Sequence, residues 1–410
     1  MKSSIEKTDR LFFKFCLIDM LFLPYFPLIT VAYSMPVVFI WWAMRKNIMS
    51  TVENYSKVKV SVLLIIISTL ISIAIYPSYI KDNMVYMLEI SAVFIYFIMF
   101  KYYLDRYEVN LEKWLFLFVL FVGVFALIYN FDKSLYQTMK YIWNARMGTA
   151  WSTTSFSGYR FGFVWMDENN IAYMISTISF FLIVSKGFTL FEKSLIFGIN
   201  LLVVVSTMSS GGRNSLIIMW GVYFAYLAMH PKKINFPISR YVSQREFVGI
   251  ILFIFVIIIA LKYVPNYFNS TIFLEAKDRA EANSLDSRLN IWKYVVQNTK
   301  WWLHVFVGSG GRIMVNDSPK APHNGHFFWI IAYGAVVYYN YVYIFFRKRK
   351  KVAMKNWIAL IPFFIGFTIN TMVGEPKVNE IIAVLVAYIS SPIYQKKNTA
   401  YGDIEYYGKQ

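Results

Sequence analysis

Between residues 11 and 394 the chain returns repeatedly to uninterrupted apolar runs, each close to the length a helix needs to cross a bilayer. A hydrocarbon core of about 30 Å takes roughly 20 apolar residues as α-helix. Backbone at that depth finds no water, so its polar groups must be satisfied internally, as in a helix. Reading the runs against the charges that interrupt them places spans near 11–27, 29–44, 60–79, 84–101, 114–131, 169–185, 190–207, 214–230, 247–264, 325–346, 357–373 and 379–394. The predicted fold class is therefore all-α: a polytopic membrane protein of about twelve transmembrane helices, with residues 1–410 forming one membrane domain. Lys2, Lys7 and Arg10 precede the first run as they would in a signal peptide. That run continues past Pro24 and Pro27 to about Met44 with no A-x-A-like cleavage site, which predicts retained helices.

Charge supports the same reading. The formal net charge is +18, from 41 Lys and Arg against 23 Asp and Glu. A nucleic-acid partner would need these cations in one patch, whereas here they lie between apolar segments. With the N-terminus inside, alternation places Arg45, Lys46, Lys57 and Lys59 on the cytoplasmic side. It does the same for Lys101, Arg106, Lys113, Lys186, Lys193, Lys232, Lys233, Arg240, Arg245, the run Arg347 to Lys351, and Lys396 and Lys397 in the tail. Both termini are then cytoplasmic. The single cysteine, Cys16, excludes an intramolecular disulfide and a CxxC motif.

Two long loops fall on the opposite face, 132–168 and 265–324. Cations are depleted on that face, so Arg146, Arg160, Arg213, Arg288, Arg312 and their neighbouring lysines stand out. Within the second loop, "SLDSRLNIWKYVV" has Leu285, Leu289, Trp292 and Val296 at helical spacing, with Asp286 or Ser287 as N-cap. It predicts an amphipathic helix on the membrane surface, with Trp292, Trp301 and Trp302 as interfacial anchors and Arg288 and Trp292 on one face. "GSGGR", from Gly308 to Arg312, reads as a flexible turn, without the strand before and helix after that a dinucleotide fingerprint requires.

Arginine forks match phosphate oxygens, so an arginine-rich outer mouth suits a pyrophosphate-bearing ligand at the membrane surface. Acids are few there: Asp167, Glu168, Asp286, Asp317 and Glu375. No HExxH or DxD-like spacing occurs, so neither a metal nor a cofactor is expected. "PKAPHNGHFFW" places His323, Asn324 and His326 just before an apolar run. Read functionally, His323 is a general base stiffened by Pro322, and Asn324 orients the ring or the substrate. Read structurally, the two histidines are interfacial residues capping a helix. Arg213 is either a ligand beside a Ser/Gly turn or an arginine snorkelling to the interface, and Arg288 either a ligand or a solvated helix position. Glu375 binds substrate or simply pairs with Lys377.

The order of motifs resembles a known family. "GYRFGFVWMDENNIAY", "STMSSGGRNSL", "DSRLNIW", the glycine turn "GSG" and "HNGHFFWIIAYG" together resemble the O-antigen polymerase and O-antigen ligase superfamily of lipopolysaccharide biosynthesis. These are inner-membrane glycosyltransferases that use undecaprenyl-pyrophosphate-linked glycans. The resemblance implies a lipid-accessible cavity beneath the large periplasmic loop. Arg213, Arg288 and His323 with Asn324 match its arginine after a Ser-rich turn, its arginine before a tryptophan and its His-Asn pair. It implies a polymerase of polysaccharide repeat units: an acceptor hydroxyl attacks the donor's anomeric carbon with inversion and without metal, and His323 takes the proton. Arg213 and Arg288 stabilise the departing pyrophosphate, with smaller parts for Arg312, Arg160 and Arg146. Glycan donor and acceptor are both lipid-linked, membrane lipids surround the chain, and a chain-length regulator is the expected protein partner. The alternatives are the ligase, which transfers to lipid A core sugars, and a flippase or transporter of lipid-linked oligosaccharide. A transporter should place charge near the midplane between helices, whereas the candidate groups cluster at one surface.

Overall fold

The computed structural model describes residues 2–25, 32–45, 50–143, 161–163, 166–229, 285–311, 313–315, 318–319, 322–347, 352–369 and 376–399. The predicted span at 247–264 lies outside them. The helices are α1 (Lys2–Phe22), α2 (Met35–Met44), α3 (Tyr55–Ile75), α4 (Ile80–Arg106, after a 3-10 turn at Pro77–Tyr79), α5 (Leu111–Phe131) and α6 (Lys133–Trp143). Next come α7 (Glu168–Val184), α8 (Leu190–Ser206), α9 (Ser210–Met229) and α10 (Leu285–Asn298). A 3-10 turn (Trp301–His304) and the two-residue strands β1 (Met314–Val315) and β2 (Ser318–Pro319) follow, the strands pairing antiparallel. The chain ends in α11 (Gly325–Tyr333), α12 (Ala335–Phe346), α13 (Met354–Ile358), α14 (Ile361–Ile369), α15 (Pro376–Ile389) and α16 (Pro392–Thr399). Among the described residues the protein is helical apart from that small ladder. Three stretches, Tyr55–Ile75, Pro77–Arg106 and Leu111–Phe131, are long and apolar enough to cross a membrane.

These elements pack into two units interleaved in sequence: unit 1 is Met1–Leu111, Asn298–Ala353 and Thr371–Gln410, and unit 2 is Glu112–Gln297 and Met354–Asn370. At the centre of unit 1, the middle of α4 is buried on every side, with all residues from Glu89 to Leu104 buried. Against it lies α3, which is built inside out. Its buried face carries Ser61, Ser68, Thr69 and Ser72, while Leu63, Leu70 and Ile75 point outward and are more than half exposed. Small residues inward and large apolar ones outward is the pattern of a lipid-facing helix, because close packing rather than water exclusion joins helices in a bilayer. Basic residues expected to share a side meet at one end of unit 1. Arg10 lies over Tyr107, Arg106 reaches Thr51, and both Lys57 and Arg347 lie over Tyr343.

Several expectations need correction. The stretch 325–346 is not one straight helix. His326 Nδ1 meets the Tyr338 hydroxyl at 2.7 Å, and Trp329 stacks on Tyr341 with centroids 4.3 Å apart. A straight helix would separate such pairs by about 18 Å, so the chain bends sharply at Gly334, whose φ of 94° is left-handed. The segment predicted near 357–373 is divided between α13 and α14, with Pro362 in the first turn of the second. The loop 132–168 contains a helix, α6, which buries Tyr136.

Candidate functional site

In unit 2 the site residues gather around the start of α9. Thr207 Oγ1 donates to the Val204 carbonyl at 2.8 Å and accepts the Ser209 N–H at 3.2 Å, closing α8. Ser209 Oγ then accepts the Gly212 N–H at 3.1 Å, which caps α9, and donates to Asn169 Oδ1 at 2.9 Å. Gly211 and Gly212 let the first turn lie flat on α7. A Cβ on Gly211 would strike the Tyr173 hydroxyl, and one on Gly212 would sit 2.5 Å from Ala172 Cβ. Arg213, half-buried, is in that same turn. A guanidinium and the positive end of a helix dipole are thus presented together, an arrangement suited to anionic oxygens.

The segment before α7 is fixed to the same place. Phe161 N–H donates to the Ser206 carbonyl at 3.0 Å, and the Tyr136 hydroxyl donates to the Gly162 carbonyl. Asp167 caps α7 by accepting the Asn170 N–H at 2.8 Å, and Glu168 behind it is buried. Lys140 on α6 was missed as a candidate. It lies within electrostatic reach of Glu168 and Asp167, and burial holds its ammonium below the ordinary lysine pKa while those carboxylates pull it upward. The signal was available, since Lys140 falls in the 132–168 loop, where the sequence reading expects few cations.

On α10, Arg288 and Trp292 are half-buried and share a face, as expected. The expected cap is not found. The helix starts at Leu285, so Asp286 and Ser287 belong to its first turn and neither is its N-cap. The buried position is Val295, while Leu289 and Val296 are 46% and 47% exposed. Leu289 and Val296 thus leave an exposed apolar strip, in keeping with a helix expected to lie on a membrane surface.

Unit 1 carries the His-Asn pair. Pro322 is buried, His323 is half-buried with a left-handed φ of 46°, and Asn324 Oδ1 accepts the Phe327 N–H at 3.1 Å. Asn324 therefore caps α11, and neither histidine does; His326 is spent on Tyr338. A non-glycine residue at positive φ holds backbone strain that the surrounding contacts must offset. Gly308 to Gly311 form a rigid plug rather than a flexible turn. Ser309 and Gly310 N–H groups donate to the Ile331 and Ala332 carbonyls at 2.8 and 2.9 Å, satisfying acceptors that the bend at Gly334 leaves without helical donors. Gly308 N–H donates to Ser68 Oγ at 2.9 Å. Gly310 has φ 77°, and a Cβ on Gly308 would collide with the Ala332 backbone. His304, a second missed residue, lies beside the Ile331 backbone, and burial lowers its pKa from the ordinary 6.5.

Arg146, Arg160, Arg312 and Glu375 lie outside the described residues. Lys377, the suggested partner of Glu375, lies with Nζ 3.4 Å from Asp19 Oδ1. Arg213, Arg288 and Trp292 belong to unit 2, and His323 and Asn324 to unit 1. No protein-family model matches the sequence, and no curated protein matches it. The described residues thus establish a helical protein with three helices able to cross a membrane, carrying a capped, arginine-bearing helix start and a strained His-Asn corner.

Proposed function

We propose that the chain is a bacterial inner-membrane glycosyltransferase of about twelve spans that polymerises polysaccharide repeat units on its periplasmic face. The donor is a glycan on undecaprenyl pyrophosphate, and the acceptor is a sugar hydroxyl of a single lipid-linked repeat. The observation that carries this reading most is the Ser209–Arg213 turn. Its capped helix start and guanidinium supply two kinds of positive potential for a leaving pyrophosphate without a metal. His323 is the base. As the hydroxyl oxygen bonds the anomeric carbon, the carbon–oxygen bond to pyrophosphate breaks with inversion and the hydroxyl proton passes to the imidazole. Pyrophosphate is a weak base and leaves without a general acid. Arg288 assists from the half-buried face of α10, beside Trp292, whose ring offers a sugar-stacking surface. Arg146, Arg160, Arg312, Asn324 and Glu375 contribute to binding.

The test is turnover by purified protein given one lipid-linked repeat as both donor and acceptor, in the absence of divalent metal. A ladder of lengthened lipid-linked glycans in wild type, lost in His323→Ala, is expected. Transfer only to added lipid A core would make the protein a ligase. Neither product from well-folded protein would sink the enzyme reading in favour of a transporter.

A further inference from the structure

At one place in unit 1 the fully buried carboxyls of Asp19, Glu89 and Glu380 surround a single described ammonium, that of Lys377. Lys377, in the first turn of α15, is fully buried, and its ammonium faces the end of α1. It donates to the Asp19, Leu23 and Pro24 carbonyls at 2.7, 2.8 and 3.2 Å, with Asp19 Oδ1 at 3.4 Å. An ammonium has three N–H donors, so these acceptors occupy it. Asp19 is also fully buried, and its other oxygen accepts the Ser34 N–H at 2.6 Å. Asp19 and Lys377 therefore balance each other.

Glu380 lies three residues further along α15. None of it is exposed, and neither carboxylate oxygen has a hydrogen-bond partner. The groups acting on it are Lys377 on its own helix, Asp19 on α1 and Glu89 on α4. Tyr96 on α4 and Cys16 on α1 also lie within its electrostatic reach. Of these only Lys377 is positive, and its donors are committed to α1. A bare carboxylate in a dry interior is among the most unfavourable groups a protein can hold, so a compensating positive charge is required. Ionisable groups buried among membrane helices generally mark ion or proton sites. Among the described residues no three acidic, cysteine or histidine side chains converge as a metal cage. A carboxyl without converging acidic ligands suits a monovalent ion better than a divalent metal, which needs several oxygen ligands.

We propose that Glu380 binds a monovalent counter-cation, a proton or an alkali ion, and that this bound ion completes the junction of α1, α4 and α15. The site is separate from the groups assigned to glycosyl transfer, and its test does not depend on that reaction.

The test follows thermal unfolding of the full-length protein in detergent, using its tryptophan fluorescence. Wild type is compared with Glu380→Gln across the neutral pH range at fixed salt, and across sodium chloride exchanged for choline chloride at fixed ionic strength. An ion that binds the folded state raises Tm by about 2 °C for each tenfold rise above its Kd. If sodium is the ligand, wild-type Tm rises with sodium at fixed pH. If the ligand is a proton, Tm falls as pH rises and ignores sodium. In either case Glu380→Gln removes the dependence. Should that variant not fold, Asp19→Asn reads the same balance, because it frees the Lys377 charge for Glu380 and should flatten the response too. A wild type indifferent to both pH and sodium, or a folded Glu380→Gln variant that keeps the wild-type response, overturns the proposal.

Discussion

The tetrapeptide Ser-Gly-Gly-Arg occurs twice, at 210–213 and at 309–312, and the two copies have nothing in common but their sequence. The first is the opening turn of α9. In the second, Gly310 is left-handed and its backbone N–H, with that of Ser309, leaves the local chain to finish a different helix. The preceding residue accounts for the difference. Ser209 supplies a hydroxyl that caps the N–H three residues on, which starts a helix. Gly308 has no side chain, so the chain can pass against Ala332 and deliver its N–H groups to the carbonyls exposed by the bend. One turn presents an arginine, the other closes a gap in the backbone.

This contrast can be broken in four ways. The largest effect should come from Gly308→Ser, which writes the first context into the second turn. Its side chain would meet the Ala332 backbone, and the cost should reach at least about 3 kcal/mol, seen as loss of monodisperse protein after detergent extraction. Arg213→Lys should leave Tm unchanged yet lower glycosyl transfer about 10²–10³-fold, since a point charge does not replace the planar fork. Arg312→Lys should cost less, and equal losses would refute the assignment of the two arginines to different roles. Ser209→Ala should cost about 1 kcal/mol as a lost cap. Ser309→Ala should cost about half of that or less, because the Ile331 carbonyl it contacts at 3.2 Å already accepts its own N–H.

The smallest effect concerns acid. His304 touches the Ile331 backbone that the plug also uses, and its folded pKa lies below the ordinary 6.5. The folded state then binds fewer protons than the unfolded one below that value, so its stabilisation is complete above pH 6.5 and declines as pH falls towards the folded pKa. Mild acid should therefore lower the protection factors, corrected for the intrinsic slowing of amide exchange in acid, at Ser309 and Gly310 while sparing Gly212, and His304→Gln should abolish the difference.

What could be read from the chain follows from what a bilayer imposes. Helices such as α3, α4 and α5 were legible because their apolar runs have no other stable home in water or lipid. The apolar spacing of α10 was legible, but its cap was not: Asp286 and Ser287 lie within the helix, and Val295, not singled out from the pattern, is the buried position. The bend at Gly334 was hidden, since a glycine within an apolar run is compatible with a continuous helix and only the plug, some two dozen residues earlier, makes the break tolerable. Arg213, Arg288 and the His323–Asn324 pair were picked out by residue type and side of the membrane. That Asn324 is a cap, that His323 is strained, and that Lys140 belongs with Glu168 depend on turns whose geometry no local pattern encodes.

The interleaving of the two units bears on how the protein is made. Asp19 is made with the first helix, but its partner Lys377 is 358 residues away. At roughly 5–20 residues per second, the nascent chain would hold that carboxylate without its ammonium for about 20–70 s. Every chain that stalls or is cut short in that interval carries an unmatched buried charge. The junction of α1 with α15 thus closes only when the chain is nearly complete.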